Sequence, residues 1–144
     1  MKVSTRGDYA ARALLSLALH SSDRPTSVKE IAERTSLPQP YLEQILLSVK
    51  GAGLVRSKRG VGGGYVLAHA PEEITLAAIV DAVEGPQLPM ADHPDHCEGH
   101  CVLQEVWVDV DEESRRVLEH VTLADLVART LVGHRGRGNG SGAG

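Results

Sequence analysis

A proline-bounded break, Thr35-Ser36-Leu37-Pro38, separates two short runs of helical periodicity, and a basic, glycine-rich turn follows them. Few folds accommodate that succession. Ahead of the break, Ser27-Val28-Lys29-Glu30 has the form of a capping box, with Ser27 able to accept an orphan amide and Glu30 able to reach back. Val28, Ile31 and Ala32 then lay an apolar stripe on a helix of about two turns. Pro38 removes an amide and pushes Leu37 out of the helical region. Periodicity resumes from Tyr41 to Lys50, where Leu42, Ile45, Leu46 and Val49 share one face, and Gly51 and Gly53 can supply a left-handed cap.

The next stretch reads as a hairpin. Residues 54–58 and 65–68 are short strand-like runs around Arg59-Gly60-Val61-Gly62-Gly63-Gly64, a turn whose glycines open backbone angles closed to other residues. Helix, break, helix and basic hairpin together predict a winged helix-turn-helix, in which the second helix enters the major groove of DNA and the wing carries Lys58 and Arg59 to the flanking backbone or minor groove. The fold class expected is therefore mainly α, with a small β-hairpin wing and, from the residues below, a long C-terminal dimerisation helix.

Charge supports this once it is divided along the chain. The 144 residues carry a net charge of -4, but residues 1–70 hold ten Lys/Arg against five Asp/Glu, whereas residues 71–144 hold five against fourteen. A basic head on an acidic body suits a protein that meets a polyanion with one face only. No stretch approaches the roughly 18 apolar residues of a membrane span, so no membrane partner and a cytoplasmic location are expected. No catalytic constellation stands out, and the glycine-rich turn lacks the Gly-Lys-Ser/Thr end of a phosphate loop, so a non-enzymatic role is expected. A winged-helix protein-docking module is the competing class, although docking needs no basic wing tip.

Taken in order, residues 8–20 form the first helix, with Tyr9, Ala10, Ala13, Leu14, Leu17 and Ala18 as its inner stripe and Asp8 complementing the dipole at its start. Thr75 caps a helix from Leu76 to Glu84, and Gly85-Pro86 stops it. Residues 86–100 lack periodicity and hold three prolines, His93, His96, His100 and Cys97; a loop of this length usually has a function. From Cys101 to about His120 a long helix carries Val102, Val106, Val110, Val117 and Trp107 along one side, a strip that finds its partner in a second copy of the chain. Thr122 to Asp125 starts a last helix to about Leu131, and the glycine-rich tail is expected to be disordered. The expected organisation is a DNA-binding domain over residues 1–85, a sensor loop over 86–100, dimerisation and packing helices over 101–132, and a tail over 133–144.

The chain also resembles a family: the small bacterial winged-helix regulators of the Rrf type, which include IscR, NsrR and CymR. Arg6-Gly7-Asp8-Tyr9-Ala10, Ile31-Ala32-Glu33-Arg34, Tyr41-Leu42-Glu43-Gln44, Gly53-Leu54-Val55 and the turn from Arg59 to Tyr65 carry the resemblance. Ile74-Thr75-Leu76, Cys101-Val102-Leu103 with Trp107, and Thr122 to Val127 extend it to about residue 131. It implies a homodimer that binds a palindromic double-stranded operator and switches with a ligand held in the loop ahead of the dimer helix. Glu43 and Gln44 resemble the family's base-reading pair, and Arg59 its minor-groove arginine. Pro40 stands where several relatives have a hydroxyl residue. The candidate DNA contacts are then Lys2, Arg6, Ser27, Gln39, Tyr41, Glu43, Gln44, Lys50, Lys58, Arg59 and Gly60.

For the sensor, the resemblance implies a 2Fe–2S cluster. Cys101 matches the last of three loop cysteines found in cluster-binding relatives, Cys97 lies close to the middle one, the first is absent, and Gln104 replaces a ligating histidine. Histidine can replace cysteine on one iron, which makes His93, His96 and His100 candidate ligands. Asp8 matches a carboxylate supplied across the dimer. A zinc fragment, a redox pair, or a cofactor-free regulator answering to a metabolite or partner protein are the alternatives.

Overall fold

The computed structural model describes residues 3–20, 24–85 and 98–140, with backbone alone at His100, Cys101 and residues 134–140. Its elements run α1 (Thr5–Leu19), α2 (Val28–Thr35), α3 (Gln39–Gly51), β1 (Val55–Lys58), β2 (Gly64–Leu67), a single 3-10 turn (Pro71–Glu73), α4 (Leu76–Glu84), α5 (His100–His120) and α6 (Leu123–Gly140). This is the expected mainly helical winged helix-turn-helix with a two-stranded wing.

The core gathers on α1. Ala10, Ala13 and Leu14 have no accessible surface, and α1 packs against α2, α3, α4, α6 and β2. Ile31 from α2, Leu42, Ile45, Leu46 and Val49 from α3, Ile79 from α4 and Leu123 from α6 complete one continuous cluster. The two alanines leave α1 narrow enough for neighbouring helices to approach, and the branched side chains fill the space between them.

Helix ends follow local chemistry. The Ser27 hydroxyl accepts from the Glu30 amide at 3.2 Å, the Thr75 hydroxyl from Ala78 at 3.1 Å, and Thr122 and Asp125 cap one another reciprocally at 3.1 and 3.0 Å. Only half of the first capping box forms, because the Glu30 carboxylate turns to Arg34 at 3.5 Å. After α3, Leu54 N–H bonds to the Val49 carbonyl and Gly53 N–H to that of Lys50, both at 3.0 Å. This double bond pattern closes the helix through Gly53 at φ 80°, with buried Val49 and Leu54 sealing it.

Several features depart from the sequence reading. The first helix begins at Thr5 rather than Asp8, because Ser4 serves as the cap and accepts from the Gly7 amide at 3.3 Å. Ser4 is itself anchored by Glu84, which accepts from its amide at 2.8 Å and from its hydroxyl, tying the start of α1 to the end of α4. The break between α2 and α3 turns on Ser36, at φ 58°, ahead of Pro38. α3 starts two residues early, since Pro40 fits a first turn where its missing amide has no partner to lose. Thr26 pairs with Tyr65 through hydrogen bonds of 3.0 and 2.8 Å, an isolated antiparallel bridge that fixes the two-stranded wing to the cap of α2. A second bridge, Thr75 with Thr122, joins the α5–α6 turn to the start of α4.

α6 continues to Gly140, so the tail expected to be disordered from residue 133 is helical as far as residue 140. Packing at Leu123, Leu126 and Val127 nucleates this helix, and its extension past residue 133 runs on despite the cost of each glycine.

Gly64 is the backbone constraint of the wing. It sits at φ 153°, and a Cβ there would overlap the Thr26 carbonyl. Gly64→Ala should lower stability by about 3 kcal/mol in chemical denaturation, whereas Gly53→Ala, with open space around it, should cost about 1–2 kcal/mol. Equal losses would contradict the role given to the Thr26–Tyr65 pairing. Asp125 titrates below the usual carboxylate range, held there first by the Thr122 amide and then by its hydroxyl. A depressed folded pKa contributes stability above the ordinary value and loses it as pH falls, so Asp125→Asn should flatten the decline in melting temperature below about pH 4.

Candidate nucleic-acid interface

Burying Leu42, Ile45, Leu46 and Val49 leaves the opposite face of α3 to solvent. Gln39, Pro40, Glu43, Gln44, Leu47 and Lys50 are all exposed, and helical spacing sets them on one side. Gln39 reaches toward Glu43 at 3.5 Å, too long to hold either side chain firmly, so both acid and amide are available to an incoming surface. Tyr41 lies on the flank, 60% exposed, its ring edge-on to Tyr9 with centroids 6.4 Å apart. That contact sets α3 against the N-terminal half of α1.

Arg6 joins the same face from α1. Its guanidinium donates to the Ser48 hydroxyl at 3.1 Å, and that hydroxyl donates to the Gln44 carbonyl at 3.2 Å. The sequence places Arg6 among the candidate DNA contacts and gives Ser48 no role; the geometry makes Ser48 the bracket that holds Arg6 beside the exposed face. Only three-dimensional packing brings residues 42 positions apart together, so no sequence signal announced this pair.

Lys58, Arg59 and Gly60 are exposed on the wing, with Val61 fully extended into solvent at its tip. Ser27 is half-buried and its hydroxyl is occupied as the α2 cap. Lys2 lies outside the described residues. The arrangement is a helix face of polar side chains around Pro40 and Leu47, beside Arg6, on a domain whose wing presents a lysine and an arginine. It can offer donors and acceptors to base edges from the helix and cations to phosphates from the wing and α1.

The candidate ligand set is less complete. His93, His96 and Cys97 lie outside the described residues, and for His100 and Cys101 the structure gives only their place in the first turn of α5. Asp8 is half exposed, in an ion pair with Arg12 of its own helix at 3.0 Å. Among the described residues no three His, Cys, Asp or Glu side chains converge as a metal site would require.

α5 meets the rest of the chain through Gln104, Asp111, Arg115 and Leu118, each half-buried. Arg115 clasps Asp81 of α4 with both terminal nitrogens, at 3.2 and 2.8 Å, and Glu119 at 3.0 Å. The hydrogen bond to Asp81, followed by its charge, raises the guanidinium pKa above the ordinary arginine value. Val102, Leu103, Val106, Trp107, Val110 and Val117 stay exposed on an adjoining side. No described helix is long and apolar enough to cross a membrane.

Comparison with known proteins fits this geometry. Residues 3–129 match the model of the Rrf2 family, described as iron-dependent transcriptional regulators. A putative helix-turn-helix-type transcriptional regulator of Synechocystis is 40% identical over 142 residues, covering 96% of this chain and 97% of that protein. The regulator CymR of Bacillus subtilis is 38% identical over 130 residues, covering 90% and 92%. Among solved structures, T. potens IscR superposes with a TM-score of 0.75 at 39% identity, covering 90% of this chain and 88% of that one. B. subtilis CymR gives 0.76 at 36% identity, covering 89% and 97%. These relatives are regulators rather than enzymes, and the chain belongs to the Rrf2 family of winged-helix DNA-binding transcription regulators.

Proposed function

We propose that the protein is a homodimeric repressor that binds a palindromic operator, reading bases with α3 and gripping the flanking backbone with the wing. The observation that carries this reading is the exposed α3 face with Gln39, Glu43, Gln44 and Lys50, bracketed by Arg6 through Ser48. Gln44 carries an amide that can pair with adenine, and Glu43 a carboxylate that can accept from the cytosine amino group. Arg59 supplies a cation to the minor groove or phosphates. The apolar strip of α5 supports a two-fold dimer, with half-sites about one DNA turn apart, roughly 34 Å.

Two substitutions separate the roles. Arg59→Ala should weaken binding to specific and random duplexes alike and lower the salt slope by about one. Glu43→Ala should instead narrow the gap between specific and random DNA, by about 1–3 kcal/mol for the base pair it reads. Equal loss on both kinds of DNA in both variants would contradict the division. Val110→Glu puts a charge into the proposed seam and should yield monomers in sedimentation, while a wild type that is monomeric at micromolar concentration would end the dimer reading.

The finer reading is that Cys97 and Cys101 hold a 2Fe–2S cluster through thiolates, completed by Asp8 of the partner subunit and one of His93, His96 and His100. Support comes from the family's description as iron-dependent and from the chemistry of the donors. Asp8 suits the role: its pair with Arg12 is a surface ion pair, worth at most about 1 kcal/mol, so the carboxylate is available to a ligand. When bound, such a cluster supplies a redox-sensitive centre, and its oxygen and nitrogen ligands make retention depend on pH because both must be deprotonated. Cys101 lies in the first turn of α5, so a ligand held there would act on the helix that Arg115 fastens to α4. Protein isolated anaerobically from iron-replete cells should be brown, with visible absorption lost in Cys101→Ala and weakened in Asp8→Ala. Colourless, iron-free protein that still binds its operator would favour the cofactor-free alternative.

A further inference from the structure

The centre of the exposed α3 face is apolar. Leu47 is 62% exposed, four residues after Glu43 and three after Gln44, so it lies one turn further along the side that carries both. Pro40, seven residues earlier and also exposed, lies on the same line. Inward positions are already filled by Leu42, Ile45, Leu46 and Val49, each with 0–1% of its surface accessible, so Leu47 has no place in the core. One leucine flanked by Glu43, Gln44 and Lys50 is also not the broad apolar patch that a protein partner would need.

We infer that Leu47 is a specificity-determining residue that packs on the 5-methyl group of a thymine in each operator half-site. The inference rests on α3 being the reading helix. If Glu43 and Gln44 face the groove floor, Leu47 does so too, because the three share one side of a rigid helix. Leucine has neither donor nor acceptor, and the one apolar group that a base edge presents in the major groove is the thymine methyl. Set against cytosine, guanine or adenine, the same side chain would shield a donor or acceptor without pairing it. The basic head of the chain complements the duplex around this contact.

The test begins by selecting duplexes from a randomised pool with the wild-type protein. Each thymine of the selected half-site is then replaced singly by deoxyuridine, which removes only the methyl. At one thymine per half-site the replacement should weaken wild-type binding roughly fourfold, the value of one buried methyl. Cytosine at that position should bind worse than 5-methylcytosine by a similar factor. Leu47→Ala, altered at an exposed helical position, should bind the thymine and deoxyuridine duplexes equally. Wild-type protein indifferent to every deoxyuridine, or a Leu47→Ala variant that keeps the penalty, would overturn the inference while leaving α3 as the reading helix. A pool from which no duplex is enriched would overturn that reading and this inference together.

Discussion

Close packing on the alanine side of α1 is the contact on which the other elements depend. Ala10 and Ala13 are fully buried, and the helices that meet α1 present Ile31, Leu42, Ile45, Ile79 and Leu123 to the shared core. A larger side chain at either alanine would crowd the elements packed around α1, and overpacking of this kind typically costs about 1–3 kcal/mol. The same contact orients function. Once four apolar residues of α3 are committed inward, the identity of its outward residues becomes a matter of recognition rather than stability.

The two halves of the chain answer to different physics. The head is held by burial and by a few long-range hydrogen-bonded pairs: Thr26 with Tyr65 for the wing, Ser4 with Glu84 for the start of α1, Arg6 with Ser48 beside the exposed α3 face. α5 adheres instead through the Arg115 clasp and a half-buried edge, with most of its apolar strip outside the monomer's core. Burial by a second copy would supply what the monomer lacks. Arg115 pairs with Asp81 on α4, and Glu84 at the end of α4 holds Ser4 ahead of Arg6, so polar contacts run from α5 through α4 to the start of α1.

How much of this could be read beforehand depended on the range of the interaction. Caps at Ser27, Thr75 and Thr122, the stop at Gly53 and the inward faces of α3 and α4 are decided within a few residues and were legible. Pairings between distant residues were not: Thr26 and Tyr65, Thr75 and Thr122, or Ser4 and Glu84 carry no periodicity that singles them out. Ser36 gave no glycine to mark its left-handed turn, so Pro38 drew the attention instead. Periodicity already left Leu47 off the inward face of α3, and its 62% exposure shows that no other element covers it. The helical continuation of α6 past residue 133 runs against glycine's low propensity and followed from no local signal.

The central claim is that this family member meets duplex DNA through α3, Arg6 and the wing. Equilibrium binding of the wild-type protein to one selected duplex across a salt series tests it most directly. Phosphate neutralisation by the basic head predicts that log K falls linearly with log salt, with a slope of several units, since each phosphate contact contributes about 0.9. A flat salt dependence, or no binding to duplex at low salt, would contradict the account.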